Sequence, residues 1–270
     1  METMTLQEAA DRLGTHYMTV YRYVRLGRLP ARKVGGTWQV EVSDVEALRR
    51  GDEQAVRPRP SADWSTRLES RILEGDEAGA WGVIEAALAS ANTPSQIYTD
   101  LIIPALTSIG SKWHKGDVSI AQEHLATAVV MRLIGRLGPH FARKGRPKGV
   151  VVVTTPAGER HAIPSLIVAD LLRGAGFQVL DLGTDVPPES LGQILEQVDG
   201  LTAVCVSSTR VGADPEVRAT TSSIRTSAPG VPILIGGASI ADIDHAIALG
   251  GDGWASDGPG AVEIVMGTLT

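Results

Sequence analysis

Glu159 and His161, in the segment TTPAGERHAIP, are a pair that can bind a transition metal. A neutral imidazole is the commonest protein ligand for such a metal. A carboxylate two residues earlier can take the other ring N–H and raise the basicity of the ring. An isolated histidine here would read as a helix cap or a surface residue, but this one has company. Ser207, Ser208 and Thr209 close one apolar run downstream, and Gly236-Gly237 close the next. Hydroxyls and side-chain-free backbone at neighbouring strand ends would line a slot for a flat or elongated group. Upstream, Trp113-His114 and Glu123-His124 form a W-H-x8-E-H spacing. Trp113 can cover one face of a planar ligand; taken alone, the spacing reads equally as a core tryptophan with unrelated surface charges.

The elements that must position these residues follow from periodicity. From residue 149 the runs GVVVVTTP, FQVLDLG, LTAVCVSST, VPILIGG and DGWAS are short, apolar and β-branched. Helical patterns at 162–174, 188–198, 214–228 and 240–249 separate them. Alternation of this kind implies βαβ units and a parallel sheet buried on both faces. Five strands predict a flavodoxin-like doubly wound parallel sheet over 148–270, with its ligand at the carboxyl ends of the strands. Residues 65–145 show helical spacing throughout: Leu68 and Ile72, then Trp81, Ile84 and Leu88, then Ile97 to Ile109, then Leu125, Val129, Leu133 and Leu137. This predicts a four-helix bundle. Residues 53–64, with two prolines, read as a linker, and the basic stretch Arg143–Lys148 as an exposed second one.

The chain of 270 residues has room for two or three domains. Cys205 is the only cysteine, which excludes an intrachain disulfide and a thiolate-rich metal site. No secretory start and no apolar run of about 20 residues occurs, so a cytoplasmic protein with no membrane partner is expected. The net charge of −6 is unevenly spread: residues 1–50 carry +2 and the remainder −8. Between Asp11 and Glu41 there is no acidic residue, while Arg22, Arg25, Arg28, Arg32 and Lys33 cluster there. Phosphate contacts need a local positive surface rather than a basic whole chain.

Residues 1–52 read as a winged helix-turn-helix. TLQEAADRLG gives an amphipathic helix with Leu6, Ala9, Ala10 and Leu13 on one face, and Gly14 breaks it. Thr15 is the expected cap of a second helix, with Val20, Tyr21 and Val24 inward and Arg22 and Arg25 outward. KVGGTWQVEV reads as a hairpin turning at Gly35-Gly36, and Ser43 as the cap of a closing helix. The second helix would enter the major groove of double-stranded operator DNA. Tyr17, Thr19, Arg22, Arg25, Arg28 and Lys33 are the candidate contacts. The competing reading is a small helical interaction domain with solvated basic residues.

These residues carry three resemblances. TLQEAADRLG..YMTVYRYVRLGRLPA with GGTWQV resembles excisionase-like and MerR-type DNA-binding modules. Glu159-x-His161, the serine-containing third strand and Gly236-Gly237 resemble, in that order, the cobalamin-binding domain of methionine synthase and base-off mutases. That likeness implies His161 as the lower axial cobalt ligand, Glu159 as its partner, and Ser207, Thr209, Gly236 and Gly237 around the nucleotide tail. It has two departures, Pro164 for a glycine and Thr209 for a leucine. With W-H-x8-E-H, the whole chain resembles the CarH-like photoreceptor repressors. This implies a light-responsive regulator, not an enzyme, that binds DNA in the dark with adenosylcobalamin. It further implies Trp113, Glu123 and His124 near the adenosyl group, His114 as an upper ligand after photolysis, and a homo-oligomer, dimer or tetramer. The alternatives are a regulator sensing another tetrapyrrole, or cobalamin level without light, and a corrinoid methyl-transfer shuttle; another cobalamin form or another tetrapyrrole is the alternative cofactor.

Overall fold

The computed structural model describes residues 3–25, 29, 31–34, 37–49 and 64–268. They fall into two compact units, Met1–Leu133 and Ile134–Thr270. The fold is multi-domain, α and α/β, and no described helix is long and apolar enough to cross a membrane.

The head runs β1 (Thr3–Thr5), α1 (Leu6–Leu13), α2 (Tyr17–Arg25), β2 (Ala31–Val34), β3 (Thr37–Glu41) and α3 (Val42–Arg49). Thr5 and Glu8 form a reciprocal capping box on α1, and Gly14 ends it in the left-handed region at φ 63°. Two expected caps are corrected. The N–H of Met18 donates to Nδ1 of His16, and the N–H of Thr15 closes α1 onto Ala10 O. Thr15 thus belongs to the end of α1, and His16 supplies the first bond of α2. Ser43 lies inside α3, because β3 stays paired with β1 through Glu41 and the helix starts at the next residue. Strand β1, three residues long, is too short to show a period of two; it makes the sheet three-stranded, in the order β1-β3-β2. Met4, Leu6, Ala9, Ala10, Val20, Val24, Leu29, Val40 and Val45 form the core, with Leu13 and Tyr21 partly buried against it.

The helical part comprises α4 (Trp64–Leu73), α5 (Glu77–Ala89), α6 (Pro94–Gln96), a π-helical stretch Ile97–Ile102, α7 (Ile103–Lys115) and α8 (Ile120–Leu137). Trp64 opens α4 and is not part of the linker; the rest of that linker lies outside the described residues. The N–H of Ile103 reaches back five residues to Tyr98 O. Pro104 follows, and its missing N–H and bulky ring disfavour ordinary α pairing with the preceding turn. Leu68, Ile72, Ile84, Ile97, Tyr98, Leu101, Ile102 and Ile109 are fully or almost fully buried. On α8 the expected stripe is corrected at its start. Leu125 is 44% exposed, and the buried face is Ala126, Val129, Val130, Leu133 and Leu137.

Beyond the exposed segment 142–148 comes the sheet: β4 (Val150–Thr154), α9 (Ile163–Gly174), β5 (Gln178–Asp181), α10 (Pro188–Leu195) and β6 (Leu201–Ser207), then α11 (Asp214–Ser227), β7 (Ile233–Gly236), α12 (Ile243–Ala248), β8 (Gly253–Ala255) and α13 (Gly258–Gly267). All neighbours pair in parallel in the order β5-β4-β6-β7-β8. The order reverses between β4 and β6, which puts the topological switch point at their carboxyl ends. One face packs Val152, Val204, Val206 and Ile235 against helices; the other packs Val151, Val153, Ala203 and Cys205.

Replacing Thr5 by Ala removes the side-chain half of the capping box, the hydroxyl that accepts the N–H of Glu8, and leaves the backbone N–H at position 5 able to donate to the Glu8 carboxylate. We expect the head to lose about 1 kcal/mol of stability, measurable by chemical denaturation.

Candidate functional site

The loop leaving β4 carries Glu159 and His161, and its geometry is set by hydrogen bonds to one carboxylate. Glu159 is fully buried. Its Oε1 accepts the backbone N–H of His161 at 3.0 Å and lies 2.5 Å from His161 Nδ1. Its Oε2 accepts the backbone N–H groups of Thr209 at 2.6 Å and Arg210 at 2.9 Å, and lies 3.0 Å from the Thr209 hydroxyl. Burial pushes this carboxyl's pKa up, but the N–H donors of His161, Thr209 and Arg210 together overcome it and bring the pKa down to about 2. An ionised carboxylate only accepts, so Nδ1 of His161 carries a proton, and in the neutral ring the lone pair is on Nε2. The His161 side chain is 66% exposed while Glu159 is 1% exposed. The arrangement is therefore an accessible imidazole nitrogen oriented from behind by a buried anion, which is the chemistry of a metal ligand with its supporting partner.

Pro164 sits in the first turn of α9, where its missing N–H costs no helical bond. One residue missed in the sequence, Asp185, latches the same loop from the segment after β5. Asp185 Oδ1 accepts the N–H of Gly158 at 2.6 Å, and Asp185 N–H donates to Thr155 Oγ1 at 3.0 Å. Asp185 holds a left-handed backbone at φ 57°. Its place in TDVPP is a turn context in which Asp tolerates that conformation.

Ser207 ends β6, and Gly236 ends β7 beside it. Ser208 is buried, and both its carbonyl and its hydroxyl are 2.9 Å from the Ser239 hydroxyl. A Cβ on Gly237, at φ 104°, would come within 2.2 Å of Ser208 O, and one on Gly236 within 2.9 Å of Ala255 O. The two glycines thus let adjoining strand ends approach backbone to backbone, where the sequence led to the expectation of a slot lined by side-chain-free backbone. The hydroxyl of Thr209, a residue expected around a nucleotide tail, faces Glu159 and His161.

In the first unit Trp113 and His114 occupy the last turn of α7, and Glu123 and His124 the first turn of α8, with a four-residue turn between the helices. Gly116 closes α7 at φ 81°, while the hydroxyl of Ser119 accepts the N–H of Gln122. Lys112 Nζ reaches the buried Glu69 at 2.6 Å, tying α7 to α4. The Trp113 and His114 rings lie 4.8 Å apart at 52°. Glu123 spans His124 Nδ1 at 2.8 Å and the Thr127 hydroxyl at 2.9 Å. Trp113 is 41% exposed, so its indole is open to a ligand.

In the head, Tyr17 and Met18 are exposed on α2, Tyr17 stacks with Tyr21 at 6.3 Å, and Thr19 is half-buried. The side chains of Arg22, Arg25 and Lys33, and all of Arg28, lie outside the described residues.

Two expectations follow. The Glu159 pKa is lower in the folded chain than its ordinary value of 4.5, so the stability it contributes is present above 4.5 and is lost as pH falls toward 2. That contribution is about 3 kcal/mol, and the unfolding free energy of Glu159→Gln should fall less over this range. Gly237→Ala adds a backbone clash to left-handed strain and should cost about 3 kcal/mol or more. Gly183→Ala, with a positive φ but open space around it, should cost only about 1 kcal/mol. Denaturation midpoints of the two variants distinguish these outcomes.

Comparison with known proteins matches residues 64–137 and 149–265 to B12 binding domains, and residues 3–52 to a helix-turn-helix domain. The HTH-type transcriptional repressor CarH of Myxococcus xanthus is 30% identical over 203 residues, covering 74% of this chain and 66% of the repressor. A corrinoid protein of Desulfitobacterium hafniense is 24% identical over 205 residues, covering 73% of this chain and 93% of that protein. The solved monomethylamine corrinoid protein of Methanosarcina barkeri shares the fold, with a TM-score of 0.66 at 20% identity, over 74% of this chain and 95% of that one. With two B12-binding matches behind a helix-turn-helix match, and an oriented imidazole at the end of β4, the chain belongs to the CarH-like family of cobalamin-binding transcriptional regulators.

Proposed function

We propose that this protein is a light-responsive repressor that binds operator DNA in the dark with adenosylcobalamin and releases it on illumination. The observation that carries the reading is the Glu159–His161 pair, in a chain that also has a helix-turn-helix head. The residues fit a cobalt corrinoid. A neutral imidazole with Nδ1 tied to a buried carboxylate and Nε2 accessible is a donor suited to a transition metal. His161 is the lower axial ligand in this reading, and Glu159 fixes its tautomer and direction. Ser207, Gly236 and Gly237 belong to the side that takes the nucleotide tail. Trp113, Glu123 and His124 serve the adenosyl side, and His114 is the imidazole for the upper position after light. Bound adenosylcobalamin supplies a cobalt–carbon bond that light breaks.

The domain assignment that goes with this function is a DNA-binding head over 1–52, a linker that ends before Trp64, a helical cap from Trp64 to 145 and a cobalamin domain over 148–270. Tyr17, Thr19, Arg22, Arg25, Arg28 and Lys33 contact the operator. Several heads in one homo-oligomer bind with avidity, so dissolving the oligomer lowers DNA affinity by about a hundredfold or more. The likeness to a corrinoid protein favours a second reading, a methyl-transfer shuttle, but such a protein has no use for a helix-turn-helix head.

Selecting duplexes from a random library in darkness, with adenosylcobalamin present, supplies a target DNA. Its binding should be strong in the dark and fall about a hundredfold after green light; equal binding in both conditions removes the photoreceptor claim. His161→Ala should lose the spectrum of axial nitrogen coordination, and an unchanged cobalt spectrum removes the ligand assignment.

A further inference from the structure

We infer that Thr209 is a positioning residue for His161, standing where the family resemblance expects a leucine. The inference rests on the reading of His161 as the cobalt ligand. Thr209 Oγ1 lies 3.0 Å from Glu159 Oε2 and 2.8 Å from His161 Nδ1, and the Thr209 backbone N–H donates to the same Oε2 at 2.6 Å. A hydroxyl has one proton to give and two lone pairs to offer. The carboxylate accepts only, so the proton goes to Glu159 and a lone pair faces the Nδ1–H of His161. That N–H is then shared between Glu159 Oε1 and Thr209 Oγ1.

A leucine can do neither; its methyl groups would set carbon against the carboxylate and leave the ring on Glu159 alone. The threonine also comes from a different part of the sheet. Glu159 and His161 belong to the loop after β4, whereas Thr209 follows β6, 48 residues from the histidine. The hydroxyl therefore ties the imidazole directly to a second strand end. Turning the ring over would forfeit both acceptors of Nδ1–H at once, so Nε2 keeps one direction. Thr209 never reaches the metal in this scheme; it acts through the ligand.

Two measurements test the inference, one without the cofactor. In full-length protein carrying 15N-labelled histidine, the Nδ1–H of His161 should exchange slowly with water. Thr209→Val keeps the shape and deletes the hydroxyl, and exchange should quicken about fivefold, the effect of losing one net hydrogen bond. Thr209→Ser should restore the slow rate, and Thr209→Ala carries the same comparison if valine disturbs packing. In protein loaded with cob(II)alamin, electron paramagnetic resonance should show splitting by one axial nitrogen, and His161→Ala should lack it. Thr209→Val should retain the splitting but enlarge the nitrogen-free fraction about fivefold, and serine should reverse this. Wild-type behaviour of the valine variant in both measurements overturns the inference, as does a serine variant that behaves like valine. Absence of nitrogen splitting in the wild type instead overturns the cofactor reading, and the exchange rates then still decide whether Thr209 holds the ring.

Discussion

Everything at the carboxyl end of the sheet is organised around one buried negative charge. Glu159 has no exposed surface, and an isolated carboxylate in such a place would be costly. It is stable because backbone N–H groups from two separate strand ends, together with an imidazole and a hydroxyl, converge on its two oxygens. The same bonds that satisfy the charge also join the loop after β4 to the loop after β6. Electrostatic satisfaction and loop geometry are thus one feature, and the direction of His161 follows from it.

Backbone approach supplies the neighbouring part. Between β6 and β7 the strand ends come so close that Gly237 has room for no side-chain atom beside Ser208. Ser239 then fills the hydrogen-bonding needs of Ser208 from the next loop. On the other flank Asp185 accepts a left-handed backbone to hold Gly158. Four loops after four strands thereby reach fixed positions through short polar contacts, with the apolar packing confined to the sheet faces behind them.

Periodicity and punctuation made the architecture readable. β-Branched runs separated by helical spacing can form little other than a doubly wound parallel sheet, and the five strands appear where those runs lie. The pairing of Glu159 with His161 was legible because two residues of extended loop bring a carboxylate within reach of its neighbour's ring. Contacts that depend on three-dimensional convergence were not. Nothing local in TDVPP says that Asp185 will meet Gly158, and nothing in SSTR says that the threonine will face the histidine. Caps were misjudged where tertiary pairing overrode them, as when β3 ran on to Glu41 and left Ser43 inside a helix. The α8 stripe drifts for a helical reason: steps of four residues rotate about 40° each around the axis, so Leu125 leaves the face that buries Leu133 and Leu137.

The strand order has one more consequence. The groups that aim the imidazole come from segments 155–161, 183–185 and 207–210, which are distant in sequence and meet only when β4 has found both β5 and β6. Long-range parallel pairing is slow and forms late in folding. The accessible nitrogen of His161 therefore acquires its aim only once the sheet is whole, and under the role proposed for His161 a partly assembled chain offers a corrinoid no firm hold. Possession of the pigment then doubles as a certificate that this half of the molecule has matured.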